Sequence, residues 1–139
     1  MSVRRPEIFV SATSSDLRSC RQTVKEGLLT LGCVPVEQTN FPPDHRIVRD
    51  MLRAKIAACD AVIHLAGECF GAEPLARDPS APRRSYTQIE YDLARELGKP
   101  LYVFLCGLEF PYDPHTPEEP EKHRLQQAHR GFFTLRCGS

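Results

Sequence analysis

Short apolar runs that alternate with segments of helical periodicity constrain this chain more than anything else in it. The runs are Glu7-Ile8-Phe9-Val10-Ser11, Cys33-Val34-Pro35-Val36-Glu37, Ala61-Val62-Ile63-His64-Leu65-Ala66 and Leu101-Tyr102-Val103-Phe104-Leu105. Runs of this length and composition read as buried strands. Between them, Leu17, Cys20, Val24, Leu28 and Leu31 share one helical face that closes at Gly32, with Ser15 or Asp16 as the expected cap. Ile47, Val48, Met51, Leu52, Ala54 and Ile56 mark a second helix, and Tyr86, Ile89, Leu93 and Leu97 a third. Gly98-Lys99-Pro100 stops the third, because glycine accepts the left-handed cap and proline cannot continue a helix. Glu118 to His129 predicts a fourth helix, and Gly131-Phe132-Phe133-Thr134-Leu135 a short fifth strand. Strictly alternating strands and helices demand a parallel sheet, and right-handed crossovers place helices on both of its faces.

The connections carry their own signals. Pro35 places the second strand at an edge or a strand end. Gln38 to His45 holds Pro42 and Pro43, which stiffen it, and Phe41, which has no obvious core partner. Glu68 to Arg84 is a long Pro-containing loop, and segments of that length without secondary structure are usually functional or mobile. Residues 1–139 are expected to form one domain, the N-terminal module of a longer protein.

Lys plus Arg equals Asp plus Glu at 18 each, which removes the electrostatic case for nucleic acid or an anionic membrane. Arg4-Arg5 and Arg83-Arg84 are too short to change that. Six cysteines show no metal or redox spacing and read as small hydrophobes in a reducing cytoplasm. His45, His64, His115, His123 and His129 form no metal pattern, and His64, alone on an apolar strand, reads as a satisfied core histidine or one that faces a helix. No apolar run approaches membrane-spanning length.

Glu90 is the chemically conspicuous residue. It falls one turn after Tyr86 and one turn before Ala94, on the border of the buried stripe of the third helix, whereas Asp92, Arg95 and Glu96 lie on the solvated side. That position is near the carboxyl ends of the strands, where open α/β sheets bind ligands. Read from spacing alone, a helix-start carboxylate favouring the macrodipole, worth ~0.3–1 kcal/mol, is an equal alternative.

These residues resemble the Toll/interleukin-1 receptor (TIR) domains, and more closely the bacterial TIR-like domain of unknown function of type 4062 found at the N-termini of multidomain proteins. The resemblance rests on Ile8-Phe9-Val10-Ser11 with Ser15-Asp16-Leu17, on Gly32, Phe41-Pro42 and Ala57-Ala58-Cys59-Asp60-Ala61-Val62-Ile63, on Gly67 with Phe70-Gly71, and above all on Ser85-Tyr86-Thr87-Gln88-Ile89-Glu90-Tyr91 before Gly98-Lys99-Pro100. It implies a flavodoxin-like TIR fold with a central parallel five-stranded sheet. In NAD-cleaving members the last block carries the catalytic carboxylate, which maps to Glu90; the aromatic one turn before it is Tyr86 here, where some active members have tryptophan. The implied activity is NAD+ glycohydrolysis, to nicotinamide and ADP-ribose or a cyclic variant, by an assembly-activated effector of a bacterial defence or signalling protein. NAD+ is then the substrate, with no cofactor and no metal.

One carboxylate suffices for that chemistry, because the leaving pyridinium needs no acid and the carboxylate stabilises or traps the oxocarbenium-like ribose. Tyr86 is expected to stack on the nicotinamide or the ribose; Ser11, Ala12, Thr13 and Ser15 to receive phosphates at a helix N-terminus; Phe41 and Arg46 to close over the dinucleotide; and Gly67, Phe70 and Ser85 are further expected substrate contacts. The resemblance also implies self-association through Gln38 to Arg46, and C-terminal sensor, NTPase or repeat domains. Two alternatives stay open: a non-enzymatic TIR-type adaptor that works through the same loop, and a nucleoside deoxyribosyltransferase-like enzyme.

Overall fold

The computed structural model describes residues 4–42, 44–75 and 79–137. Four parallel strands, β1 (Glu7–Ser11), β2 (Val34–Val36), β3 (Ala61–Ala66) and β4 (Leu101–Leu105), form one sheet in the order β2-β1-β3-β4. They alternate with α1 (Ser14–Thr30), α2 (His45–Ala57), α3 (Tyr86–Glu96) and α4 (Pro120–Cys137). The chain is thus an α/β domain with a parallel sheet. Pro35 sits on an edge strand, where its missing N–H costs no ladder bond.

Each face has its own core. Phe9 and Val62 point toward α2 and α3, against Val48, Leu52, Ile56, Ile89 and Leu93. Val10 and Leu65 point the other way, against Leu17 and Leu28 of α1. This alternation fixes which strand residues reach which site: Ser11 and His64 are register partners and share the α3 face.

Three expectations are corrected. The expected fifth strand, Gly131 to Leu135, is the continuation of α4. Gln126, His129 and Phe133 recur at helical steps and are buried, so the period is that of a helix carried past Gly131. The sheet among the described residues accordingly has four strands. Second, β4 is an edge rather than a fully buried strand, with Tyr102 57% and Phe104 55% exposed, because α1 packs on β1 and β2 and leaves that side of β4 open. Third, the N-cap of α1 is Thr13, two and three places before the expected Ser15 and Asp16, and it makes no side-chain cap bond; Leu31, just past the helix end, is exposed. Pro43 of the stiff loop and residues 76–78 of the long one lie outside the described residues. Among those described, no helix is long and apolar enough to cross a membrane.

Candidate functional site

The start of α3 is fixed by a capping box. Ser85 Oγ accepts from the Gln88 backbone N–H at 3.2 Å, and Gln88 Oε1 accepts from the Ser85 N–H at 3.2 Å. Two orphan donors are satisfied together, which sets the helix register against the sheet. That register turns Glu90 inward, at 3% exposure. Burial raises its carboxyl to about 8, against the pull of the Ser11 hydroxyl and of Arg21, with Glu37 pushing it up and Lys55 drawing it down. A carboxyl held this far from its ordinary range by desolvation is a mark of functional sites.

The charged neighbours come from three elements. Arg21 of α1 is 8% exposed, donates to Ser14 Oγ at 3.0 Å and to the Ala12 carbonyl, and lies 3.4 Å from the Glu37 carboxylate. Lys25 reaches Glu37 at 2.6 Å. Lys55 of α2 donates to Gln38 Oε1 at 2.5 Å and to the Glu37 carbonyl at 3.2 Å. Three cations therefore face two carboxylates beyond the ends of β1 and β2, a setting that favours an anionic guest.

An aromatic pair packs one turn before Glu90. Phe41 lies flat on Tyr86, with ring centroids 3.9 Å apart and planes 5° from parallel. The core partner missing from the sequence is thus the aromatic of α3, and the loop after β2 is pinned to the helix that carries Glu90.

Behind Glu90 runs a chain of polar groups through the α3 side of the sheet. Ser11 Oγ lies 3.0 Å from His64 Nδ1, and His64 Nε2 lies 3.0 Å from His129 Nε2 of α4. Burial, with the His129 and Arg84 charges adding to it, pushes His64 down to about 3, and burial likewise pushes His129 to about 4, so both are neutral at physiological pH. Tyr91 and Phe133 pack around the two imidazoles.

A family model described as "Domain of unknown function (DUF4062)" matches residues 7–135. The chain belongs to this family. No curated protein matches it.

Within this DUF4062 domain the expected site residues separate into groups. Ser11 acts on Glu90, and Tyr86, one turn before Glu90 on α3, carries Phe41 stacked on its ring. Thr13 is buried and joins the start of α3 through Thr87, Oγ1 to Oγ1 at 3.2 Å. Ala12 offers its carbonyl to Arg21. Ser85 is the helix cap. Arg46 points outward, its side chain 80% exposed and 3.6 Å from Asp44. Ser15 is exposed on the side of Cys69. Phe70 is fully buried beneath Arg83 and Lys122. Gly67 is a close-approach point: a Cβ there would stand 2.6 Å from Asp16 Oδ2. Gly71, at φ +87°, is another, where a Cβ would meet the Thr13 methyl at 2.6 Å.

Residues unforeseen from sequence include Arg21, Glu37, Lys55 and His129. Arg21 had a usable signal, since it sits one turn after Leu17 on the buried side of α1. Among the described residues two surface grooves stand out, and Glu90 lines neither of them. One, of about 1040 Å³, runs between α3 and α4 past Arg84, Tyr91, Arg95 and His129. The other, of about 450 Å³, holds Glu68, Cys69 and His115. Among the described residues no group of three metal-ligating side chains occurs.

Proposed function

We propose that this domain cleaves the N-glycosidic bond of NAD+, with Glu90 as the catalytic residue. The observation that carries the reading is a desolvated carboxyl at the carboxyl edge of the sheet, raised to about 8, one turn after the Phe41–Tyr86 stack and beside a surplus of cations. The reaction needs those parts. Its leaving group departs as neutral nicotinamide, so no protonating acid is required; positive charge builds on the ribose, where an ionised carboxylate in a water-poor site stabilises it strongly. Arg21, Lys25 and Lys55 suit the pyrophosphate.

For a dinucleotide to enter, Phe41 must leave Tyr86. The freed Tyr86 face then takes the nicotinamide or the ribose in its place. A cationic pyridinium next to Glu90 also favours the ionised carboxylate, so substrate binding itself drives the carboxyl to its active form. Moving Phe41 is the step that assembly supplies in this reading. Arg46 and Ile47, exposed at the start of α2, give neighbouring copies a place to grip the loop.

The test is NAD+ turnover at high protein concentration, with nicotinamide and ADP-ribose resolved and free nucleosides assayed in parallel. Nicotinamide release by the wild type that vanishes in Glu90→Gln supports the reading. Equal release by the mutant sinks it, and turnover of nucleosides alone moves the assignment to base exchange or hydrolysis at a nucleoside.

A further inference from the structure

We propose that β4 is a dimerisation edge, and that a second copy of this chain pairs with it antiparallel about Val103 to make one sheet continuous across both molecules. This pairing does not depend on the reading of Glu90, and it uses a different surface from the loop around Arg46.

β4 is the last strand of the order β2-β1-β3-β4, and among the described residues β3 is its sole strand neighbour. The direction of its free groups follows from the bonds it already makes. The Pro100 carbonyl accepts the Val62 N–H at 2.9 Å at one end, and the Cys106 N–H donates to the Ala66 carbonyl at 3.0 Å at the other. Backbone groups alternate from side to side along a strand, so Tyr102 and Phe104 point theirs at β3. Leu101, Val103 and Leu105 carry theirs on the outer side.

Sheets protect such an edge with a charge, a proline or a bulge. Leu101-Tyr102-Val103-Phe104-Leu105 holds no charge and no proline, and its register with β3 is unbroken. Tyr102 and Phe104 are the register partners of Ile63 and Leu65, so they stand on the α1 face, where both are more than half exposed. Leu105, on the opposite face, is 38% exposed.

The order of residues in the strand selects the partner. It reads nearly the same in both directions, with leucines at the ends, aromatics inside them and valine at the centre. A closed pair built from two identical edges is two-fold symmetric, which makes the strands antiparallel. Centred on Val103, the pairing sets Val103 against its own counterpart and Leu101 against Leu105. These are the residues whose N–H and C=O groups face outward, so they form the closely spaced hydrogen-bonded pairs, and every free donor along the strand meets an acceptor. Tyr102 then falls opposite Phe104 at the non-hydrogen-bonded positions, where side chains approach most closely, on the same face in both copies. The ends agree in charge. Lys99 stands before the strand and the exposed Glu109 after it, and the antiparallel arrangement sets the basic end of each copy beside the acidic end of the other.

The experiment is sedimentation equilibrium of the 139-residue chain from micromolar to millimolar concentration, with variants of β4 and of the Arg46 loop alongside. The expected result is a dimer that survives Arg46→Ala and is weakened at least about tenfold by Phe104→Lys or by Val103→Pro. Both changes leave the β3 ladder intact, since the Phe104 side chain is exposed and the Val103 N–H faces outward. Complementation tests the register. Tyr102→Glu and Phe104→Lys each set a charge opposite an aromatic in their own homodimers. Mixed together, they set a carboxylate opposite an ammonium in one cross-strand pair and restore the aromatic pair in the other, so the mixture should associate roughly tenfold more tightly than either variant alone. Such a gain on mixing cannot come from unfolding. A chain that stays monomeric at millimolar concentration, which leaves the edge to a different strand, overturns the proposal. So does a dimer lost in Arg46→Ala and kept in the β4 variants, or a mixture no tighter than its components.

Discussion

Two carboxyl groups are buried at the same edge of this sheet, Asp16 at 1% and Glu90 at 3% exposure, yet their surroundings are opposite in kind. Asp16 Oδ2 receives the backbone N–H groups of Glu68 at 2.8 Å and Cys69 at 3.0 Å, tying α1 to the end of β3. Desolvation still raises its titration, but those bonds hold the charged form back toward its usual range. Among the described residues no backbone N–H acts on Glu90, only the Ser11 hydroxyl and charges at a distance, and it rises to about 8. Under the proposed function, the difference separates a clamp from a reagent. A carboxylate with one oxygen held by two backbone donors ties elements together even though its other oxygen, Asp16 Oδ1, is buried without a partner, whereas one desolvated without such donors is kept at a cost to the fold.

The largest expected effect is on turnover. Under the proposed function, Glu90→Gln lowers nicotinamide release by at least about 100-fold, as for loss of a principal charge-stabilising group, while Asp16→Asn in a folded sample keeps measurable activity; equal losses in the two would erase the distinction. Next comes stability. Asp16→Ala should cost roughly 3 kcal/mol, since two buried backbone donors lose their acceptor, a drop in Tm on the order of 10 °C by calorimetry.

Glu90→Gln should act in the opposite direction. Its folded titration lies above its ordinary value of 4.5, at about 8, so between those limits the folded state binds a proton that the unfolded chain has released. Stability therefore falls as pH rises through that window and levels off above it. Glu90→Gln should flatten this fall and raise stability at about pH 8 by roughly 1–3 kcal/mol; a mutant that keeps the wild-type slope of Tm against pH would show that another group is responsible.

Smaller effects sharpen the contrast. Phe41→Ala removes the stacked ring from Tyr86, at about 1 kcal/mol beyond the lost burial, and by admitting water should bring the Glu90 titration down toward its ordinary range while leaving Asp16 unmoved, as carboxyl 13C NMR will read. Arg46→Ala, at an exposed position, should change the stability of the monomer by less than about 0.5 kcal/mol.

Much of the scaffold was legible in the residues. β1 and β3 came out with the boundaries their apolar runs imply, and α3 with the stop that Gly98 and Pro100 dictate, because those signals are local. The end of the chain was not, since Phe132-Phe133 at the tail of a polar helix reads as a strand until His129 and His64 are known to meet Phe133. The site divides in the same way. Glu90 and Tyr86 follow from one helix and its period. Arg21, Glu37, Lys55 and His129 are brought in by the crossovers, from places far apart in sequence, and the hints were few: Arg21 one turn after Leu17, and His64 as a lone imidazole on an apolar strand.

The pinch between Gly71 and Thr13 has a consequence of its own. Any side chain at position 71 would need both a left-handed backbone and a displaced Thr13, and Thr13 is what moors the first turn of α3 through Thr87. A saturation scan across the loop after β3 should therefore find a spot where one amino acid alone is accepted, although it lies nineteen places upstream of the acid it protects.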